Sequence, residues 1–251
     1  MTAVALLQSP GAPPAGSGGG AGDPEWAGAA LRRYAAALAE PGLEVIVADA
    51  GAGGPESVAI ADTALVLDEC AGMLPLGGTE RRGEVAAVAQ RLAAYRPLTW
   101  IEPPARLAGG DIVRVGRTLY VGAGPDSDPD GIAALAHCVE PLGYQLEPVP
   151  VFGCRQLTGG VTALGDAAVV INPDWVDDAA FAGLRRFRVA PQEPWAANTL
   201  TIGATTLVRH DAPQTARTLA RSGFATHAID LGELAGAEGG PACLSLVLAP
   251  R

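Results

Sequence analysis

The sequence predicts an α/β fold of five β-β-α-β units arranged around an axis, and three observations carry that expectation. A two-strand hairpin signature recurs at intervals of roughly 40 to 50 residues. An amphipathic helix and then a further short strand recur with it. At 251 residues with 49% hydrophobic side chains, the chain can bury the core that such an assembly needs.

Taken in order, the apolar run Ala3–Gln8 is expected to pair with the last strand, Cys243–Ala249, closing a ring by joining the two ends of the chain. Residues 9–22 are rich in Pro, Gly and Ser and predict a flexible loop. A helix over Glu25–Leu38 and a strand over Leu43–Val47 complete the first unit. The hairpins follow over Ser57–Leu76, Asp111–Gly122, Gly160–Pro173 and Thr199–His210, three of them turning on a Gly-containing pair. Their helices are expected over Thr79–Tyr95, Asp130–Leu142, Val176–Arg185 and Pro213–Ser222. In the first of these, Val85, Val88 and Leu92 recur at helical spacing, with Arg81, Glu84 and Arg91 left for the wet face. Outer strands follow at Leu98–Ile101, Gln145–Val149, Phe187–Val189 and Thr226–Asp230. The repeats imply one domain over residues 1–251, with its shared opening where the inner strands begin.

Charge and composition narrow the partners. The net charge is −10, all seventeen cationic side chains are Arg, and no basic stripe is present, so nucleic acid is not an expected partner. Cys70, Cys138, Cys154 and Cys243 form no C-x-x-C pair, which argues against a zinc ligand set or a dithiol motif and for reduced thiols. Nothing points to a metal or organic cofactor. The start of the chain does not read as a signal peptide, and no apolar run of about 18 residues occurs to cross a membrane. A cytoplasmic protein acting on a small molecule is expected, with no membrane partner and a homodimer left open.

If the five units are equivalent, the residues just before each inner strand converge: Asp62, Asp111, Gln156, Asn198 and Cys243. Each also has a plain structural reading, because Asp and Asn brace turns and a buried Cys behaves as a small hydrophobe. Together they suggest chemistry. A carboxylate recognises a planar N–H pair such as an amidine through parallel hydrogen bonds, and a thiolate beside it attacks the electrophilic carbon. Such a scheme normally uses a histidine as proton carrier. His137, His210 and His227 all fall away from inner strand starts.

The stretches SVAIADTALVLDE, GGTERRGEV, LAGGDIVRVGRTLYVG, VPVFGCRQLTGGVTAL, INPDWVDDAAFAG, EPWAANTL and AEGGPACLSLVL resemble the dimethylarginine dimethylaminohydrolase family of the guanidine-modifying (amidinotransferase) superfamily. The resemblance implies a five-bladed α/β-propeller of ββαβ units, the pentein fold. It implies that Cys243 is the nucleophile, that Asp62 binds the substrate guanidinium, and that Arg82 helps hold the substrate α-carboxylate. Glu238 falls at an acidic position shortly before the nucleophile, and Asp111 and Asn198 stand at retained positions of the substrate-binding set.

The departures are as informative. Where the family has its catalytic histidine, this chain has Gln156, an amide that carries no proton near neutral pH. Ala59, Ala61 and Ala108 replace larger or acidic residues. Asp126 falls where a second carboxylate-binding arginine is expected, and its charge would repel a substrate carboxylate. The expectation is therefore a diverged enzyme, a hydrolase or transferase acting on non-peptide C–N bonds. Cys243 would work on a non-arginine, amidine- or amide-like small molecule, in the manner of specialised metabolism. The alternatives are a pseudoenzyme or small-molecule-binding protein without turnover, and a methylarginine or arginine hydrolase that gives citrulline.

Overall fold

The computed structural model describes residues 2–10, 24–48, 55–76, 82–234 and 239–250. The expected loop at 9–22 lies outside them from residue 11 onward. Five three-stranded sheets are present, each with an inner strand antiparallel to a middle strand and an outer strand parallel to it.

In the first sheet β1 (Val4–Gln8) is the middle strand and precedes α1 (Pro24–Ala39) and the outer strand β2 (Glu44–Ala48). The second runs β3 (Ala64–Val66), β4 (Ala71–Met73), α2 (Arg82–Leu92) and β5 (Leu98–Trp100). The third has β6 (Ile112–Val115), β7 (Thr118–Gly122), α3 (Pro129–Val139) and β8 (Gln145–Val149). A short α4 (Leu157–Gly160) opens the fourth, followed by β9 (Val161–Ala163), β10 (Ala168–Ile171) and β11 (Arg185–Arg188). The fifth is β12 (Leu200–Ile202), β13 (Thr205–Arg209), α5 (Pro213–Arg221) and β14 (Ala225–Ile229). Finally β15 (Leu246–Leu248) pairs with β1 in the register Val4↔Leu248 and Leu6↔Leu246, so the two ends of the chain share one sheet as expected.

The middle strands explain why the sequence reads as continuous apolar runs. Every residue of β1 is buried, with Val4 and Leu6 facing one cluster and Ala5 and Leu7 the next. The same alternation holds in β10, where Val169 and Ile171 face one side and Ala168 and Val170 the other. Each sheet is thus sandwiched between its own blade's covering elements and those of its neighbour, and apolar residues are required on both faces. Inner strands meet about the axis, β3 against β15 and β9 against β6 and β12.

Three expectations need correction. Glu84, expected on the wet face of its helix, is buried and accepts from the Ser57 hydroxyl at 2.8 Å. The helix expected over Val176–Arg185 is a single 3-10 turn at Asp178–Phe181, capped by the Asp177 carboxylate accepting from Ala179 N. The parallel pairing Ala168↔Arg185 requires the chain to be extended again by Arg185, which leaves no room for further helical turns. The last strand does not begin at Cys243: Pro241–Leu244 form a 3-10 turn, and β15 starts at Leu246. The thiol therefore sits on a turn that can aim it along the axis instead of into a sheet face.

Candidate active site

Short helical turns precede all five inner strands, and they carry the five residues singled out from the sequence. Asp62 lies on the turn Ile60–Thr63, Asp111 ends Gly109–Asp111, Gln156 caps α4, Asn198 follows Pro194–Ala197, and Cys243 sits on Pro241–Leu244. The structure brings them together. Gln156 Nε2 donates to Asp62 Oδ1 at 3.0 Å, and Asn198 Nδ2 donates to Cys243 Sγ at 3.0 Å. The Thr158 hydroxyl is 3.9 Å from the same sulfur. Asn198 is held in turn by Ala242 N, which donates to its Oδ1 at 3.1 Å, so one amide fixes both the thiol and the turn that bears it.

The Gly109-Gly110 pair makes this convergence sterically feasible. A Cβ on Gly109 would fall on the carbonyl oxygen of Ala61, and one on Gly110 would collide with the Gln156 side-chain oxygen and approach Asp62 Oδ1 at 2.9 Å. Without side chains there, Gly110 N reaches Asp62 Oδ1 at 3.2 Å. Gly109→Ala is expected to destabilise the fold by about 1–3 kcal/mol, because the obstructing atom is backbone and cannot swing away. Chemical denaturation of the two proteins measures it; an unchanged midpoint would show that the Ala61 turn yields without cost.

Asp111 is completely buried. Its Oδ2 accepts from the Ser127 hydroxyl at 2.5 Å and its Oδ1 from Leu157 N at 3.1 Å, so it ties the third blade to α4. Burial disfavours its charged form and Asp126 and Asp62 repel it, while the two hydrogen bonds oppose them; the result is a pKa raised to about 6. Burial likewise pushes the Cys243 thiol above its ordinary range, helped by the charge of Asp62 and countered by the bonds from Asn198 and Thr158. In the free protein Cys243 is therefore a thiol at neutral pH.

Asp126 requires a correction. Its carboxylate is engaged bidentately by Arg155, Nε to Oδ2 at 2.6 Å and Nη2 to Oδ1 at 2.8 Å. With a guanidinium so close, the repulsion expected against a substrate carboxylate is largely offset. Gln156 Nε2 also lies 3.5 Å from Asp126 Oδ2, so its amide bridges two carboxylates.

Thr158, Ser127 and Arg155 were not singled out from the sequence. The signal for Thr158 was its place two residues beyond Gln156; Ser127 and Arg155 gave none, since their partners are distant in the chain. Arg82 is the first residue of α2, but its side chain lies outside the described part, as does Glu238. The histidines stay apart: His137 is exposed on α3, His210 faces Asp230 at 3.6 Å, and His227 faces Glu40 at 3.2 Å. Among the described residues no group of three or more His, Cys, Asp or Glu could hold a metal ion, and no helix is long and apolar enough to cross a membrane.

No protein-family model matches the chain. The solved dimethylarginine dimethylaminohydrolase of Pseudomonas aeruginosa, a cysteine-to-serine variant complexed with citrulline, superposes with a TM-score of 0.89 at 22% identity, covering 99% of this chain and 100% of that one. The N-terminal domain of ArgZ, a cyanobacterial arginine dihydrolase, superposes with a TM-score of 0.85 at 18% identity, covering 98% and 97%. These likenesses establish the five-bladed α/β-propeller, the pentein fold. In sequence, the N(G),N(G)-dimethylarginine dimethylaminohydrolase of Pseudomonas aeruginosa is 25% identical over 194 residues, 76% of each chain. That of Streptomyces coelicolor is 33% identical over 216 residues, 86% of this chain and 83% of that protein. With such similarity over most of both chains, this protein belongs to the dimethylarginine dimethylaminohydrolase family.

Proposed function

We propose that Cys243 performs covalent chemistry at the carbon–nitrogen centre of an amidine- or amide-like small molecule other than arginine, with Asp62 receiving the substrate N–H groups. The observation that carries this reading is the sulfur's setting: Asn198 Nδ2 at 3.0 Å orients it, and the Asp62 charge acts on it directly. A cationic amidine on Asp62 would offset that negative charge and so favour the thiolate at the moment substrate is present. Sulfur then bonds to the central carbon, and the departing amine leaves with the proton that the thiol gave up. Water hydrolyses the resulting adduct, its oxygen going to carbon and a proton returning to sulfur. The names of the relatives, hydrolases of methylated arginine, support the C–N bond as the target. Ala59, Ala61 and Ala108 where the resemblance expects larger or acidic residues, together with Gln156 where it expects the proton carrier, support a different substrate.

Two other readings each have an observation in their favour. The Arg155–Asp126 pair removes a repulsion and so favours methylarginine hydrolysis. A resting thiol with no histidine beside it favours a binding protein without turnover. Alkylation by 2-chloroacetamidine and by its neutral isostere 2-chloroacetamide separates them. A charge-assisted pair with Asp62 is expected to make the amidine react with Cys243 about 100-fold faster, relative to a simple thiol. Sluggish reaction with both reagents points to a binding protein. Release of citrulline from dimethylarginine at an ordinary turnover would replace the proposed substrate class with the methylarginines.

A further inference from the structure

Tyr34 of α1 is completely buried, and its hydroxyl reaches the turn that bears Cys243 from 207 residues away in the chain. It donates to Pro241 O at 2.6 Å and lies 2.8 Å from Ser245 Oγ. A carbonyl oxygen only accepts, so the single phenolic proton is committed to Pro241, and Ser245 donates to the phenol oxygen. The bonds therefore run one way, from Ser245 through Tyr34 to Pro241. They join the first residue of the turn Pro241–Leu244 to the residue that follows its last. Burial pushes the phenol above its ordinary range, against the bond from Ser245 and together with the nearby Cys243, so the donor keeps its proton at neutral pH. The ring shares a buried cluster with Ala5 and Leu7 of β1 and with Leu244 of the turn. The hydroxyl is thus presented from a packed core and not from a side chain free to swing.

We propose that Tyr34 is a positioning residue for Cys243, whose hydroxyl ties both ends of the Pro241–Leu244 turn and so sets the sulfur at attacking distance from a group bound on Asp62. The inference rests on the reading of the Cys243 site given above and adds to it the support beneath the nucleophile. Asn198 orients the sulfur itself and holds Ala242 N, whereas Tyr34 fixes where the turn begins and ends. Being completely buried, the phenol acts through the turn and not by touching a ligand. Small errors of placement matter here, because a displacement of about 1 Å at the reacting atoms can cost about 100-fold in rate.

Tyr34→Phe keeps the ring and removes the hydroxyl. Alkylation by 2-chloroacetamidine, in which sulfur bonds to the chloromethyl carbon and chloride leaves, is followed to saturation in wild type and variant. The limiting rate is expected to fall about 10-fold or more, while the half-saturating concentration stays within about twofold, since Asp62 still receives the amidine. Reaction with iodoacetamide, which needs no bound pose, is expected not to slow. Should Tyr34→Phe fail to fold, Ser245→Ala unties one end of the turn and leaves the bond to Pro241, with a fall of about threefold in the limiting rate expected. A merely structural tyrosine would lower the melting temperature and leave the limiting rate alone, and that result in a folded variant overturns the proposal. So does an equal slowing with both reagents, which would mark a general loosening. A wild type that shows no preference for the amidine over 2-chloroacetamide overturns the reading of the site, and the proposal with it. A normal wild-type preference with an unaffected variant overturns the role of Tyr34 alone.

Discussion

Asp62→Asn is expected to move two reactions of Cys243 in opposite directions. Its preference for 2-chloroacetamidine over 2-chloroacetamide should fall by about 100-fold, because the charge that attracts the cation is removed. Reaction with neutral iodoacetamide near pH 8 should become faster, since the Asp62 charge is one of the causes that hold the thiol protonated. On a true substrate the loss should be larger still, about 10³-fold in kcat/KM, because orientation and assistance to ionisation vanish together. Gly110 N and Gln156 Nε2 both bond to Asp62 Oδ1, and an asparagine oxygen can keep that position, so the fold should survive. A variant that loses reactivity toward both reagents alike would show that Asp62 acts as scaffold and not as receptor.

The second large effect is on stability. Asp111 has a folded pKa raised from 3.8 to about 6, so between about pH 4 and pH 6 the folded chain holds a proton that the unfolded chain releases. The contribution is complete below about pH 4 and is lost as pH rises through about 6, amounting to about 3 kcal/mol at 1.36 kcal/mol per pKa unit. Other carboxyls, such as Asp128 bonded by Gly131 N and Arg106, are shifted down and tilt the curve the opposite way. The informative quantity is therefore the difference between wild type and Asp111→Asn, measured by denaturant unfolding from pH 4 to pH 7. Asparagine can still accept from Leu157 N and donate to Ser127, so the variant should gain on wild type across that window. Parallel curves would mean that Asp111 is ionised throughout, with its charge fully met by Ser127 and Leu157.

The sequence made the ring of five units legible because middle strands buried on two faces are written as unbroken apolar runs, and Gly-containing turns mark the hairpins. It also gave the five convergent residues, since equivalence between repeats fixes where inner strands begin. The segment Val176–Arg185 misled because one turn of helix and a full helix share the same spacing of apolar residues; only the strand pairing at Arg185 decides between them. Arg155 and Ser127 were illegible for a different reason. Each neutralises or braces a carboxylate 16 to 29 residues away in the chain, Ser127 within the third blade and Arg155 from the fourth blade to the third, and such pairing exists only once the chain has folded.

The sheet shared by β15 and β1 has a consequence for local opening. Its inner and middle strands lie at opposite ends of the sequence, so no short connection holds them together once their pairing is broken. A partial opening confined to that seam would leave four blades intact while releasing the turn that bears Cys243. The thiol, only partly buried in the closed ring, would then exchange and alkylate like one in an unfolded peptide, without global denaturation. A component of its native alkylation that is indifferent to Asp62 and to the charge of the reagent would thus report on whether the ring is shut, and a ligand bound at the site would act as a clasp on it.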